Sequence, residues 1–236
     1  ELGGKSPQIV FPDANDDATV ASVINGMRFV RQGQSCTAGS RLFLHASIFD
    51  AFLKKLVAKL TAFKIGEPLD DSTQMGAIVN EKQYNTVLAY ISEGLKQPGA
   101  KALCGGPPPK TAPFSEGYCV EPTVFAGVEN DWRIVREEVF GPVAGIMKVA
   151  SDEEAVRLMN DTAFGLTAAI WTADEEAALA IGDQVQTGTW FMNRCDYLDP
   201  ALAWVGVKDS GRGCTLSAIG YEHLTRPKSF HLRVKI

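Results

Sequence analysis

The sequence predicts an α/β fold: a mostly parallel sheet flanked by helices. Three observations lead there. Short apolar runs of strand length alternate along the chain with longer segments whose apolar residues recur every three to four positions. That alternation of strand and helix is the pattern of a sheet covered by helices on both faces. The chain also has 236 residues, 45% of them hydrophobic and 22% charged, which suits one large domain with a substantial core.

In chain order, residues 8–11 form a short apolar run stopped by Pro12 and Asp13, a strand. Val20, Val23, Ile24, Met27 and Val30 then share one face of a helix expected to end near Arg31. Arg41–His45 reads as a strand. Ile48, Phe52, Leu56 and Leu60, with Phe49, Leu53 and Val57 beside them, mark a strongly amphipathic helix. Tyr84, Val87, Leu88 and Ile91 mark another. Residues 104–117, rich in Pro and Gly, read as an exposed loop. Strands return at residues 122–125 and at Val143–Val149. Ser151-Asp152-Glu153-Glu154 is a capping-box pattern and starts a helix. Thr167–Trp171 is a strand, residues 174–184 a helix and 188–193 a strand. Residues 228–236 alternate Phe230, Leu232, Val234 and Ile236 with His231, Arg233 and Lys235, an amphipathic strand placed outside the main sheet.

The bulk numbers narrow the partners. A formal net charge of -5 with scattered lysines carries no electrostatic footprint for nucleic acid. No stretch approaches the ~20 apolar residues of a membrane span. Cys36, Cys104, Cys119, Cys195 and Cys214 form no CxxC pair, so neither a disulfide scaffold nor a metal site is expected, and a reducing cytoplasm is the default location. No signal peptide is read at the start. The chain opens on Glu1 rather than Met, inside what reads as a motif, and is expected to be a piece of something longer.

Three segments carry chemistry. In Phe29-Val30-Arg31-Gln32-Gly33-Gln34-Ser35-Cys36-Thr37-Ala38, a glycine turn delivers a cysteine among small residues. A thiolate at such a turn is stabilised by backbone N–H groups, which can also face a developing oxyanion. The plain alternative is a buried structural cysteine. In Glu1-Leu2-Gly3-Gly4-Lys5-Ser6-Pro7, paired glycines permit close backbone approach ahead of a strand. On its own, Glu1 is a solvated carboxylate. In Glu137-Glu138-Val139-Phe140-Gly141-Pro142-Val143, a carboxylate at a strand entrance can accept hydrogen bonds from a sugar diol, with an aromatic ring beside it. The plain alternative is a turn with surface acids.

Taken together, with Glu1 and Cys36 35 residues apart, these segments closely resemble the NAD(P)-dependent aldehyde dehydrogenase superfamily. So do Asn160-Asp161-Thr162-x-Phe164-Gly165-Leu166-Thr167, Gly188-Thr189-x-x-x-Asn193 and Val207-Lys208-Asp209-Ser210-Gly211-Arg212-Gly213. The resemblance implies that residues 1–226 are the catalytic domain and residues 227–236 an oligomerisation strand. It implies that the family's N-terminal nucleotide-binding domain is absent from this chain, so that these residues alone do not turn over. It makes Cys36 the nucleophile and Glu1 the base that activates water. Glu138 would hold the nicotinamide ribose with Phe140 packing nearby, and Asn193 would be a pocket residue. The implied cofactor is NAD or NADP, the substrate a small-molecule aldehyde, and the full-length assembly a homo-oligomer, dimer or tetramer. Tyr197 and Trp204 would favour an apolar or aromatic aldehyde.

The sequence departs from the pattern at residues 200–206, where one Pro and one Gly of the usual element are replaced, and at Thr215, where many members carry a second acid. The competing expectations are a CoA-acylating aldehyde dehydrogenase, disfavoured by Glu1 within its full motif, and a non-catalytic structural or isolated domain on the same scaffold.

Overall fold

The computed structural model describes residues 1–235. In chain order the elements are β1 (Pro7–Val10), α1 (Asp17–Gly26), β2 (Arg41–His45), α2 (Phe49–Thr61), α3 (Glu81–Gly94), β3 (Lys101–Cys104), β4 (Thr123–Ala126), α4 (Arg133–Arg136), β5 (Val143–Val149), α5 (Asp152–Asn160), β6 (Phe164–Gly165), β7 (Thr167–Trp171), α6 (Glu175–Gly182), β8 (Thr189–Met192), β9 (Val207–Lys208) and α7 (Ser217–Glu222). Seven strands form one sheet in the order β3-β4-β5-β2-β1-β7-β8, and β6 pairs with β9 in a small second sheet. Every pairing in the large sheet is parallel except that of β3 with β4, at one edge.

Alternate residues of the central strands enter two cores. Ile9, Phe43, Met147 and Ile170 point to the face covered by α3, α5 and α6. Val10, Leu42, Leu44, Ile146 and Trp171 point to the face covered by α1 and α2. With both faces dry, the strands are apolar throughout, which is why they are readable as runs. The helix starts follow their caps: Asp16 accepts from the N–H groups of Ala18 and Thr19, Asn80 from Gln83, Ser151 from Glu154 and Asp174 from Ala177.

Arg41 sits fully buried in β2 beneath the strand entrance that carries the glycine pair. Its Nε donates to the Lys5 carbonyl at 3.0 Å, and its Nη1 and Nη2 donate to the carbonyls of Leu158 and Met159 at 3.1 and 2.8 Å. One guanidinium thus ties the start of β1 to the end of α5. Burial pulls its pKa down to about 9, which still leaves it a cation at neutral pH. Arg41→Met is expected to lower stability by about 3 kcal/mol, since it leaves buried carbonyls without donors. A urea midpoint shift worth less than about 1 kcal/mol would contradict that role.

Two elements differ from expectation. The helix expected to reach Arg31 ends at Gly26, and a short 3-10 turn, Phe29–Arg31, follows. Arg28 adopts a left-handed backbone (φ 59°), and a Cβ at Gly26 would meet Gln8 Oε1 at 2.7 Å. Packing against Gln8 and the left-handed residue end the helix although the apolar period continues. In the tail, residues 226–235 belong to no helix or strand. Phe230, Leu232 and Val234 are 72%, 77% and 91% exposed. Alternation prepares two faces, but a strand also needs a hydrogen-bonding neighbour, and the described residues bring none to this segment. The remaining tail residue, Ile236, lies outside the described residues.

Candidate active site

The site is assembled by backbones that approach more closely than side chains permit. Gly3 has φ +100°, and a Cβ there would lie 2.4 Å from Glu138 Oε2. A Cβ on Gly4 would lie 2.5 Å from the Cys36 carbonyl oxygen. The glycine pair therefore lets the strand entrance, the cysteine turn and the Glu138 loop converge. The cysteine turn is closed by the Ala38 N–H donating to the Ser35 carbonyl at 3.1 Å. Its far end is anchored by buried Gln8, whose Nε2 donates to the Gly39 and Val23 carbonyls while its Oε1 accepts from Trp171 Nε1. The opening residues are held by the Leu2 N–H, which donates to the Ser210 carbonyl at 2.9 Å.

This framework brings Glu1 and Cys36 together. The Cys36 thiol and the Glu1 carboxylate lie close enough that each perturbs the titration of the other. Glu1 Oε2 also accepts from Trp204 Nε1 at 2.8 Å. The neighbouring Cys36 is the main reason the Glu1 pKa falls below its ordinary value, with the Trp204 hydrogen bond adding to it. Burial, reinforced by the neighbouring carboxylate, pushes the Cys36 pKa up to about 12. The expected thiolate is thus corrected: at neutral pH residue 36 is a thiol beside a carboxylate. Burial and a like charge outweigh the favourable effect of its own backbone N–H.

Of the acidic pair in the third segment, Glu137 is committed elsewhere. It accepts from Arg133 through both oxygens and from Tyr90, and these bonds hold its pKa down to about 2. Glu138 is half-buried, accepts from the Gly4 N–H at 3.0 Å through Oε1, and has its pKa raised chiefly by burial. Phe140 stands beside it with a left-handed backbone (φ 53°) and a partly exposed ring. Gln83 Nε2 holds that loop by donating to the Val139 and Phe140 carbonyls.

Asn193 does not join them. Its Oδ1 accepts from the Thr172 N–H at 3.0 Å and its Nδ2 donates to the Thr172 carbonyl at 2.6 Å. It clamps the ends of β7 and β8 and faces a cleft beside Asn25 and Trp171. Asn193 thus lines a cleft separate from the cavities beside Glu1, with its amide engaged by Thr172. Trp204 takes a place beside Glu1 that sequence reasoning does not assign to it. Thr215 exchanges backbone hydrogen bonds with it, at 2.7 and 2.9 Å, and so positions the indole. Trp204 lines two cavities. One, of about 120 Å³, is bounded by Glu1, Ser210, Arg212 and Thr215. The other, of about 200 Å³, is bounded by Trp190, Arg194, Tyr197, Leu198 and Leu202.

The arrangement places a thiol beside one carboxylate, with a second, half-buried carboxylate nearby. Residues 1–230 match the family model described as "Aldehyde dehydrogenase family". The chain belongs to the aldehyde dehydrogenase family. Betaine aldehyde dehydrogenase of Brucella anthropi is 38% identical over 234 residues, 99% of this chain and 48% of that protein. The structure of an aldehyde dehydrogenase from Bacillus cereus in its NAD+ complex superposes with TM-score 0.92 at 34% identity, covering 100% of this chain and 47% of that one. Betaine aldehyde dehydrogenase from Staphylococcus aureus in complex with NAD+ gives TM-score 0.90 at 34% identity, covering 94% and 44%. This aldehyde dehydrogenase chain spans about half the length of the relatives it matches.

The residues present fit part of a dinucleotide site. Among the described residues no donor reaches Glu138 Oε2, which lies over a glycine whose Cβ would fill that space. A carboxylate so placed can accept from the adjacent hydroxyls of a ribose. Among the described residues no helix is long and apolar enough to cross a membrane.

Proposed function

We propose that the protein carrying this chain oxidises an aldehyde to a carboxylic acid, with Cys36 as nucleophile, Glu1 as general base, and Glu138 and Phe140 contacting NAD or NADP. The observation that carries this reading is the closeness of the Cys36 thiol and the Glu1 carboxylate, each of which shifts the pKa of the other. As sulfur attacks the carbonyl carbon, Glu1 takes the thiol proton, so a thiol of high pKa still reacts at neutral pH. The resulting alkoxide lies near the Cys36 N–H, an oxyanion donor. The nicotinamide, when bound, accepts the hydride. The carbon left on Cys36 is a thioester. Glu1 releases its first proton to solvent through the cavity bounded by Ser210, Arg212 and Thr215. It then draws a proton from water, which attacks the thioester and frees Cys36. That single carboxylate serves both steps, which suits a chain with Thr215 where relatives of this pattern carry a second acid.

Trp190, Tyr197, Leu198, Leu202 and Trp204 make the larger cavity suitable for an apolar or aromatic aldehyde. The Arg194 guanidinium lies 3.8 Å from the Tyr197 ring centroid and occupies the face that would otherwise attract a cationic group. An uncharged aldehyde therefore fits better than a quaternary ammonium one. The rest of the cofactor's grip is assigned to residues outside this chain, in the half of the relatives' length it does not span. The exposed alternating tail suits pairing with a second copy, and five free cysteines suit a reducing cytoplasm.

The test is steady NADH formation by the full-length protein with benzaldehyde and with betaine aldehyde, without CoA. The expected result is turnover favouring benzaldehyde. Turnover only with CoA present, or none at all, would overturn the reading.

A further inference from the structure

Lys5 is one of the largest fully buried side chains among the described residues, 2% exposed, and its ammonium has no hydrogen-bond partner among them. Burying an unpaired ammonium costs several kcal/mol. Here burial pulls the pKa down to about 7, Arg41 adds to the fall, and Glu138 and then Glu137 oppose it.

The surroundings indicate what the charge does. Glu137 is already bonded to Arg133 and Tyr90. Glu138 carries one protein hydrogen bond, from the Gly4 N–H, and is pushed toward its neutral form by burial and by Glu1. Lys5 opposes that push. Lys5, Ser35, Ser40 and Glu138 line one small cavity of about 10 Å³. That is room for about one water, so the link needs no direct contact. The remaining charged groups facing this pair are Arg41 beside Lys5 and Glu1 beside Glu138.

We propose that Lys5 is a positioning residue for Glu138, holding its carboxylate ionised and ready to accept from the ribose hydroxyls of the cofactor. The proposal rests on the reading of Glu138 as a cofactor contact. A neutral carboxyl would present a donor where the diol needs acceptors, so a buried cation nearby keeps the site usable at neutral and mildly acid pH.

The experiment compares Lys5→Met and Lys5→Gln with the parent in the full-length protein. One readout is a 13C NMR titration of carboxyl-labelled glutamates, with Glu138 identified by its loss in Glu138→Gln. The expected shift of the Glu138 midpoint is upward by about one pH unit in both variants. A second readout is NAD affinity by calorimetry. It is expected to weaken about tenfold near pH 6 and much less near pH 8, where the carboxylate is ionised either way. A third is hydrolysis of 4-nitrophenyl acetate by Cys36 and Glu1, which needs no cofactor and is expected to change by less than about twofold. An unmoved Glu138 midpoint overturns the proposal. So does a loss of affinity equal at every pH with ester hydrolysis falling in parallel, the mark of a scaffold role. If Glu138→Gln leaves NAD affinity unchanged while the Glu138 midpoint still rises in Lys5→Met, the cofactor reading fails and the electrostatic support of Glu138 by Lys5 stands.

Discussion

Replacing Cys36 by Ala is expected to reduce both aldehyde oxidation by the full-length protein and ester hydrolysis by this site by ~10⁴-fold or more. The size follows from chemistry. An aldehyde has no leaving group, and hydride departs readily only from a carbon already carrying alkoxide and sulfur. Without the sulfur, no tetrahedral intermediate forms and the oxyanion donor has nothing to stabilise. Folding should be unaffected, because Cys36 is only half-buried and its turn is closed by backbone groups of Ser35 and Ala38. A Cys36→Ala protein that keeps more than about a tenth of the parent rate would remove this residue from the mechanism.

Glu1→Gln is expected to slow thioester hydrolysis by ~10²–10⁴-fold while leaving acylation less affected. The amide keeps the hydrogen bond from Trp204 through its oxygen, so geometry is retained and basicity is lost. Water then has no acceptor for its proton, and the acyl group accumulates on Cys36. Mass spectrometry after incubation with 4-nitrophenyl acetate should find a hydroxylamine-labile acetyl group on the Cys36 peptide in Glu1→Gln and little in the parent. An acyl group that turns over at the same rate in both proteins would assign water activation to another residue.

Much of the fold is legible because the central strands are buried on both faces. Apolar runs at β1, β2, β5 and β7 follow from that burial, and the polar caps of α5 and α6 announce their starts. What escapes is short or set from a distance. β3 begins before the glycine–proline loop and is an antiparallel edge strand with half-exposed residues. β6 and β9 are two residues each, and α4 and α7 four and six, too short for a period to show. Glu1, Cys36, Glu138 and Phe140 are recognisable as motif members, and the glycines explain how they meet. The protonation of Cys36 is not legible, since it depends on how deeply the fold buries the sulfur and how near it sets Glu1. Trp204 carries no local signal for its bond to Glu1, which closes across 203 positions of sequence. The Asn193 motif says nothing of Thr172, the residue that engages its amide, nor of which cleft it lines.

The coupling between the two reacting side chains can be read directly from the pH dependence of Cys36 alkylation by iodoacetamide, followed by peptide mass spectrometry in the parent and in Glu1→Gln. Burial and the Glu1 carboxylate together raise the parent thiol to about 12, so its rate should still be climbing at pH ~10. Removing the negative charge should move the whole curve to lower pH, giving faster alkylation of Glu1→Gln at neutral pH even as its thioester hydrolysis fails. Superimposable curves would mean that sulfur and carboxylate do not share a site, and the account built on their pairing would be wrong.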